Sequence, residues 1–337
     1  MRVRVLGAGI IGLTCARELI ERGHDVEVVD PAPGSGASHA AAGMLSPAGE
    51  LWYGEGELLR LGSASVAMWP ALAAALGVPL HRTGTLLVAA DRADLDELDR
   101  HLALLSASGA CVGSLRPREL LVMEPGLGRV AGGAYLPDDH SVDPRAILAA
   151  LRARIPVVPA ARGRTDVTVL ATGFQLPEPF SGLVHGVRGE AVRVRALDRP
   201  RHVVRGVVHG RAVYLVPRAD SDEVMIGATC EERDGVLTAT VEGVHRLLDA
   251  ARRLYPGLDA AAFTEAIARE RPGSRDNLPL VGPSGTPGVL LAAGHFRHGV
   301  MLAPLTAALV ADHLEHGRIE ACLDPRRFVT AEAAAWT

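Results

Sequence analysis

Short apolar runs alternate with amphipathic stretches along this chain, and the first thirty residues show the pattern most clearly. Apolar side chains at 3–6 and again at 26–29 predict two short buried strands. Between them, apolar positions recur at helical spacing from 13 to 20 and stop at Gly23, a typical helix end. The chain therefore opens with a predicted strand, helix and strand.

A glycine motif occupies the turn between the first strand and this helix. Gly7, Gly9 and Gly12 follow the strand directly. Glycine at these positions allows a tight turn, a close approach of the backbone to a pyrophosphate, and close packing of helix on sheet. Asp30, at the end of the second strand, is placed to accept hydrogen bonds from ribose hydroxyls and to repel a 2′-phosphate. The motif predicts a dinucleotide site and disfavours NADP, while NAD and FAD both stay open.

The middle of the chain has the patterning of a second sheet. Apolar, β-branched stretches at 83–90, 189–197, 211–219 and 223–230 predict strands. The stretch 237–255 instead places its apolar residues at helical spacing and predicts one amphipathic helix. Strands that cluster in this way indicate a second domain built on a largely antiparallel sheet.

Two further segments favour a large cofactor. Small residues from Ser35 to Gly43 allow the backbone to lie against a flat ring or a diphosphate. The strands 166–173 and 288–299 both end in glycine, and ligands bind at such strand ends in open α/β sheets. A cofactor contacted by early, middle and late parts of one chain favours FAD over NAD.

Composition and charge exclude several function classes. The 337 residues are 48% hydrophobic and 22% charged, with a net charge of -4, and no basic stripe predicts a nucleic-acid partner. Four cysteines are far apart, without metal or redox spacing, which favours a reducing, cytoplasmic setting. Glycines in the first apolar stretch argue against a secretion signal. No apolar run is expected to approach the length of about 20 residues that crosses a bilayer.

Seven stretches together resemble the D-amino-acid oxidase superfamily, and above all its glycine oxidase branch. They are GAGIIG (7–12), SHAAAGML (38–45), VLATG (169–173), AVYLVPR (212–218), MIGATCE (225–231), RPGSRDNLPLVG (271–282) and GHFRHGVMLAP (294–304). The resemblance covers nearly the whole chain, and the last three stretches are its most specific part. It implies an α/β fold, with a Rossmann-like FAD-binding domain and an α+β substrate domain that contains an antiparallel sheet.

The resemblance also implies the domain boundaries and the activity. The discontinuous FAD domain takes 1–77, 138–184 and 276–337, and the substrate domain takes 78–137 and 185–275. The implied enzyme oxidises the C–N bond of glycine or of an N-substituted glycine, such as an N-carboxymethyl amino acid, and reduces O₂ to H₂O₂. A D-amino-acid or sarcosine oxidase is the alternative. An NAD-dependent dehydrogenase and an inactive flavoprotein are less favoured, and a homo-oligomer stays open.

Two residues are the expected substrate carboxylate clamp, as the resemblance implies. Arg271 presents a planar fork that matches a carboxylate, and it is expected to project from the end of the stretch 263–271. Tyr214 alternates with Val213 and Leu215 in a predicted strand, so it faces the opposite side from them. The composition alone would favour a surface salt bridge for Arg271 and a core aromatic for Tyr214.

The late motif supplies a third cation, and Met44 lies in the early one. Arg297 stands at a strand-to-helix junction near the expected flavin ring, where it either adds positive charge or neutralises a local acid. Met44 is expected over the flavin's reactive region, with core filling as the alternative. His295 is expected to be structural, and neither His295 nor His298 is needed as a base, so no side chain is assigned a catalytic proton transfer. No metal site is predicted.

The chain departs from the family pattern at the pocket wall. Ala212 replaces a His, Cys230 replaces a Met, and His298 replaces an Asn. The first two changes reduce side-chain volume and predict a roomier pocket, if both side chains point inward. With no Cys in 271–305, the predicted FAD is non-covalent.

By the same resemblance, the expected FAD contacts are Gly7, Gly9, Ile10, Ile11, Gly12, Asp30, Ser38, Ala42, Gly43, Met44, Val158, Ala171, Thr172, Gly173, Arg271, His295, Phe296, Arg297, His298, Gly299, Val300 and Met301. The expected substrate contacts are Tyr214, Arg271, Arg297, Met44, Ala212 and Cys230.

Overall fold

The predicted strand, helix and strand at the start of the chain are present in the computed structural model, which describes residues 1–231 and 237–328. The strands of the described residues are β1 (Arg2–Leu6), β2 (Asp25–Val29), β3 (Met44–Leu45), β4 (Leu80–His81), β5 (Thr85–Ala89), β6 (Gly113–Leu115), β7 (Gly132–Leu136), β8 (His140–Val142), β9 (Val157–Val158), β10 (Val167–Leu170), β11 (His185–Arg195), β12 (Val203–Val208), β13 (Arg211–Pro217), β14 (Glu223–Gly227), β15 (Ala262–Gly273), β16 (Leu280–Pro283) and β17 (Val289–Ala293). The α-helices are α1 (Ile10–Glu21), α2 (Gly56–Leu76), α3 (Arg92–Ala107), α4 (Pro117–Met123), α5 (Pro144–Arg152), α6 (Val241–Leu254) and α7 (Gly299–His316).

The first sheet has six strands in the order β16-β17-β10-β1-β2-β9. The five strands from β17 to β9 are parallel, and β16 adds an antiparallel edge. Parallel strands bring their carboxyl ends to one edge, so the residues that follow β1, β10 and β17 meet there. Helices α1, α2, α5 and α7 pack with this sheet in one hydrophobic core.

The second sheet has eight strands in the order β15-β11-β14-β13-β12-β5-β7-β6. All its pairs are antiparallel except β12 with β5. One row of register partners runs from Gly227 through Tyr214 to Arg205. This row places a tyrosine and an arginine on neighbouring strands, which matters for the site below.

Helix α6 covers the second sheet and is shorter than the predicted stretch 237–255. It begins after Thr240, whose hydroxyl accepts a 3.0 Å hydrogen bond from the Gly243 amide. Leu247, Ala251 and Leu254 form its buried face, at the i, i+4, i+7 spacing that the sequence shows. The cap therefore fixes the start of the helix four residues inside the predicted stretch.

A small third sheet has the order β3-β8-β4. All six strands of the first sheet lie within the three segments expected for the FAD domain. All eight strands of the second sheet lie within 78–137 and 185–275. The division into two domains stays a prediction, with the small sheet crossing its boundaries.

Helix α2 corrects one expectation from the sequence. Gly56–Leu76 is long and apolar enough, by length and composition alone, to cross a membrane. In the structure it packs against α7, and the side chains of Ser65 and Trp69 both donate hydrogen bonds to the Met301 carbonyl. A core helix passes the same test, so this single match is weak evidence for a membrane span.

Candidate active site

A cavity of about 1200 Å³ lies where the carboxyl edge of the first sheet faces the second sheet. Its walls include the glycine turn after β1, the small-residue segment 34–44 and the start of α7. The opposite wall is formed by residues of β11, β12, β13 and β15. Cofactor and substrate would therefore share one continuous space.

The glycine turn has the geometry that a dinucleotide needs. Gly7 has φ +103°, and a Cβ there would overlap the carbonyl oxygen of Ala171. A Cβ on Gly12 would overlap the Gly7 carbonyl, so α1 sits directly against the turn. Among the described residues, the first turn of α1 carries no acidic side chain. The helix N-terminus is thus free to attract phosphate.

Hydrogen bonds tie the neighbouring segments to this turn. Ser38 Oγ accepts from the Ile10 amide at 3.0 Å, which places the segment 34–44 beside the start of α1. The Asp30 carboxylate accepts from the amides of Ala8 and Ala32, each at 2.8 Å. The acid at the end of β2 therefore orders both loops and also lines the cavity.

Nearly all the expected FAD contacts line this cavity. The two exceptions are Gly12, which packs against Gly7, and Val158, whose carbonyl accepts from the Asp30 amide at 3.0 Å. The glycine turn, the unopposed helix N-terminus and the cavity volume fit an FAD molecule. Their individual contacts with FAD stay predictions.

The sequence predicts Arg271 at the end of a stretch, but in the structure it lies inside strand β15. β15 continues to Gly273, because it is an edge strand that tolerates the missing N–H of Pro272. The guanidinium lies over Gly189, where a Cβ would overlap it, and donates to the Thr229 carbonyl at 3.2 Å. The sheet thus leaves space for this side chain to reach the cavity.

Tyr214 reaches the same cavity from β13. Its ring lies over Gly227, where any Cβ would overlap the hydroxyl. Val213 and Leu215 pack in the core on the other side of the sheet, as the alternation predicts. Burial raises the pKa of Tyr214, although Arg271 opposes this shift. The phenol therefore stays protonated at neutral pH and is available as a hydrogen-bond donor.

Arg297 forms an ion pair with a buried acid. Its Nε lies 2.9 Å from Oε2 of Glu50, and Oε1 of the same carboxylate accepts from Arg205 Nη1 at 2.6 Å. Burial opposes ionisation of Glu50, but Arg205 and Arg297 outweigh it and hold the pKa of that carboxyl below its usual range. One carboxylate thus joins two guanidinium groups at the cavity wall.

The two histidines of the late motif are both buried. His295 shares a 2.9 Å hydrogen bond with the Thr306 hydroxyl, and burial lowers its pKa to about 3. Burial also lowers the pKa of His298 to about 4. Both imidazoles are therefore neutral at physiological pH. His295 has the structural contact that the sequence led us to expect.

The remaining expected substrate contacts also lie at the cavity. Met44 and Tyr214 both pack against one small apolar cluster. Ala212 and Cys230 both line the cavity and are both exposed to it or to solvent. Both positions therefore lie at the cavity wall, and the roomier pocket stays a prediction.

Comparison with known proteins gives this arrangement a family. The family model for FAD dependent oxidoreductases, known as DAO, matches residues 2–313. The chain belongs to this family. FAD as the cofactor is thereby confirmed, and the NAD-dependent alternative is excluded.

Relatives of this FAD-dependent oxidoreductase cover most of its length. ThiO of Rhizobium etli, named as a thiamine biosynthesis oxidoreductase, is 37% identical over 95% of this chain and 99% of that protein. The glycine oxidase of Geobacillus kaustophilus is 31% identical over 93% of this chain and 92% of that protein. The predicted resemblance to the glycine oxidase branch is therefore confirmed.

Solved structures show the same fold. The crystal structure of glycine oxidase from Geobacillus kaustophilus has a TM-score of 0.86 and 30% identity, and covers 96% of this chain and 98% of that one. An iminodiacetate oxidase from Chelativorans sp. BNC1 has a TM-score of 0.80 at 23% identity, with 93% and 95% covered. The predicted D-amino-acid oxidase-like fold is therefore confirmed.

Several residues of the oxidoreductase site were missed from the sequence. Glu50 and Arg205 line the cavity, and Arg205 carries one detectable signal, since it is a lone cation in an otherwise apolar strand. Arg152, at the end of α5, lines the cavity near Gly34. Trp52 stacks on His101 at 6.1 Å near the same space. Nothing in the sequence pattern distinguished these last residues from ordinary surface positions.

Within the described ranges, two groups of side chains have the spacing of metal ligands. One is Glu57, Glu320 and Cys322, and the other is Asp91, Asp94 and His209. Asp94 accepts from the amides at 209 and 210, and Asp91 caps α3, so the second group already has a structural task. Neither group carries a metal assignment.

Proposed function

We propose that this protein oxidises an N-substituted glycine at its C–N bond, with glycine itself as a poorer substrate. The observation that carries the proposal is the pair of Arg271 and Tyr214 on one sheet, facing the glycine turn across a single cavity. Ala212 and Cys230 line the same space and make room for a substituent on nitrogen. The glycine oxidases among the relatives support the glycine unit as the reacting group.

The reaction removes two electrons and two protons from the substrate. The glycyl Cα loses a hydride and the nitrogen loses a proton, so a C=N bond forms. When bound, FAD would supply the hydride acceptor and would return the two electrons to O₂, giving H₂O₂. Water then adds to the imine and releases glyoxylate and the amine.

The residues of this chain act on the substrate by position and charge. The Arg271 fork binds the carboxylate, and the protonated Tyr214 hydroxyl donates to it. Together they hold the glycyl Cα toward the flavin side of the cavity. Neither His295 nor His298 is assigned as a base, because hydride transfer from a neutral amine needs no strong base. The proton on the substrate nitrogen is lost to water, before or after binding.

The setting proposed for this reaction is the cytoplasm, with a small amine and O₂ as partners. All four cysteines are free in the structure, and Cys111 and Cys230 are exposed. Exposed free thiols suit a reducing compartment. The named task of the Rhizobium etli relative makes thiamine biosynthesis the second candidate, in which glycine is the preferred substrate.

Anaerobic bleaching of the purified yellow protein tests the proposal. Glycine, sarcosine and a bulkier N-carboxymethyl amino acid are offered in parallel, and flavin reduction is followed at 450 nm. We expect the bulkier secondary amine to reduce the flavin with the highest kred/Kd. Preference for glycine would refute the enlarged pocket. A D-amino acid such as D-alanine is offered as a fourth compound, and bleaching by it alone would show a D-amino-acid oxidase instead.

A further inference from the structure

A second arginine lies on the opposite side of Tyr214 from Arg271. Arg205 on β12 is the register partner of Tyr214 on β13, and it lines the same cavity. β12 and β15 are four strand spacings apart in the sheet order, or about 19 Å at roughly 4.8 Å per strand. Two arginines therefore enter the substrate side of the cavity from well-separated positions.

Arg205 has hydrogen-bonding capacity left over. A guanidinium has five N–H donors. Arg205 donates through Nη1 to Glu50 at 2.6 Å, and the described part of the chain gives its side chain no second hydrogen bond. Arg297 contacts the other oxygen of Glu50 through Nε at 2.9 Å. Two planar forks with free donors are thus held side by side by one shared carboxylate.

The groups at this wall carry a net positive charge, which favours the binding of an anion. Arg205 and Arg297 bring two positive charges, and Glu50 returns one negative charge. Asp139 also lies near Arg205, but one of its oxygens accepts from the Ser46 hydroxyl and the residue is only 2% exposed. Burial raises the pKa of Asp139 to about 7, which reduces its negative charge at neutral pH. A net positive charge therefore remains opposite Arg271.

We propose that Arg205 and Arg297, joined through Glu50, form a second carboxylate subsite, so that the preferred substrate is a secondary amine with a carboxylate on each arm. This rests on the proposed function, in which Arg271 and Tyr214 hold the glycyl carboxylate. Glycine and sarcosine occupy only the first subsite. An amine with an acidic second arm occupies both and neutralises the excess charge. Oxidation then leaves glyoxylate and an amino acid, whose carboxylate is the group held by Arg205.

The test compares three secondary amines that differ in the second arm. Iminodiacetate carries a second carboxylate, N-(carbamoylmethyl)glycine carries its neutral amide isostere, and sarcosine carries only a methyl group. Anaerobic stopped-flow reduction of the holoenzyme gives kred/Kd for each. We expect iminodiacetate to exceed the amide at least tenfold, because a charged hydrogen-bonded contact is worth about 1.5–3 kcal/mol. Raising the salt concentration reduces this ratio.

Two variants with opposite expected effects test whether Arg205, Glu50 and Arg297 cause the preference for iminodiacetate over the amide. Arg205→Gln lowers the ratio of iminodiacetate to amide at least fivefold. Glu50→Gln raises it, since it frees donors on both arginines. The matched control is Arg195→Gln on β11, whose side chain is 67% exposed, and the ratio should not change. Binding of the unreactive oxydiacetate and methoxyacetate, read from the flavin spectrum, gives the same comparison without turnover.

The outcomes separate the two proposals. If no glycine derivative reduces the flavin of the wild-type protein, the proposed function itself fails. If sarcosine and iminodiacetate both reduce it, but the charged and amide arms are equivalent, the second subsite is refuted and the proposed function stands. If Arg205→Gln does not fold, Glu50→Gln and the wild-type oxydiacetate to methoxyacetate ratio still decide. A dicarboxylate preference that Glu50→Gln leaves unchanged contradicts the assignment to these residues.

Discussion

Asp139 makes the stability of this protein depend on pH in a direction opposite to that of most carboxylates. Its side chain is 2% exposed and accepts a hydrogen bond from the Ser46 hydroxyl. Burial raises its pKa from 3.8 to about 7, although Ser46 and Arg205 favour the ionised form. Between these two values the native state binds more protons than the unfolded state. The free energy of unfolding therefore falls as pH rises through this window.

The size of the effect follows from the shift. Three pKa units at 1.36 kcal/mol each correspond to about 4 kcal/mol in full. Between pH 5 and pH 8, the contribution of Asp139 to the free energy of unfolding falls by about 2.5 kcal/mol. Asp139→Asn keeps an acceptor for Ser46 but has no charge to bury. The variant should therefore gain stability relative to the wild type by about 2 kcal/mol between pH 5 and pH 8.

Urea denaturation of the holoprotein at pH 5, 6, 7 and 8 measures this gain, with far-UV circular dichroism and flavin fluorescence as the two probes. Asp138→Asn is the control, because Asp138 is the adjacent acid and is exposed. We expect its difference from wild type to stay constant with pH. A stability difference between Asp139→Asn and wild type that is the same at all four pH values would refute a raised pKa at Asp139.

Three further substitutions test the site. Gly227→Ala displaces the Tyr214 ring and should raise the KM of the glycyl substrate about tenfold. The control Gly182→Ala, where a Cβ meets open space, should leave KM unchanged. An unchanged KM in Gly227→Ala would contradict a role for Tyr214 in binding. Arg271→Met should lower kcat/KM by at least about 30-fold in a steady-state assay of peroxide release, and Arg271→Lys should recover part of that loss. If both variants are as active as the wild type, Arg271 does not bind the substrate carboxylate. Gly12→Ala should weaken FAD binding about tenfold in fluorescence titration of the apoprotein, whereas Gly182→Ala, at a position that does not line the cavity, serves as the control. Unchanged FAD affinity in Gly12→Ala would show that α1 can shift without cost.

The parts of the fold that follow from local pattern were predictable from the sequence. The first strand, glycine turn and helix are set by neighbouring residues, and the parallel sheet then brings 171–173 and 294–298 to the same edge. The strand containing Arg271 was cut short in the prediction, because Pro272 and Gly273 read as a turn. Only the edge position of β15 lets the strand continue through them.

The cluster around Glu50 was not predictable in the same way. Glu50 meets Arg205 across 155 residues and Arg297 across 247 residues of chain. No periodicity connects these positions, and the loop that carries Glu50 has no repeating pattern. The sequence analysis also expected no apolar segment of membrane-spanning length, because glycine, serine and proline interrupt the apolar residues of α2. Packing against α7 accounts for that composition.

The order of strands in the first sheet has a consequence for synthesis on the ribosome. β1 lies between β2, which follows it closely, and β10, whose Val167 pairs with Val3 from 164 positions further along the chain. β17 is added beside β10 only at 289–293. A nascent chain therefore carries the glycine turn for most of its elongation without the strands that complete the edge. Contacts of such high sequence separation form late and slowly. The edge that receives the cofactor is therefore complete only after residues 289–293 have been synthesised, so the order of synthesis places cofactor capture after the folding of both sheet halves.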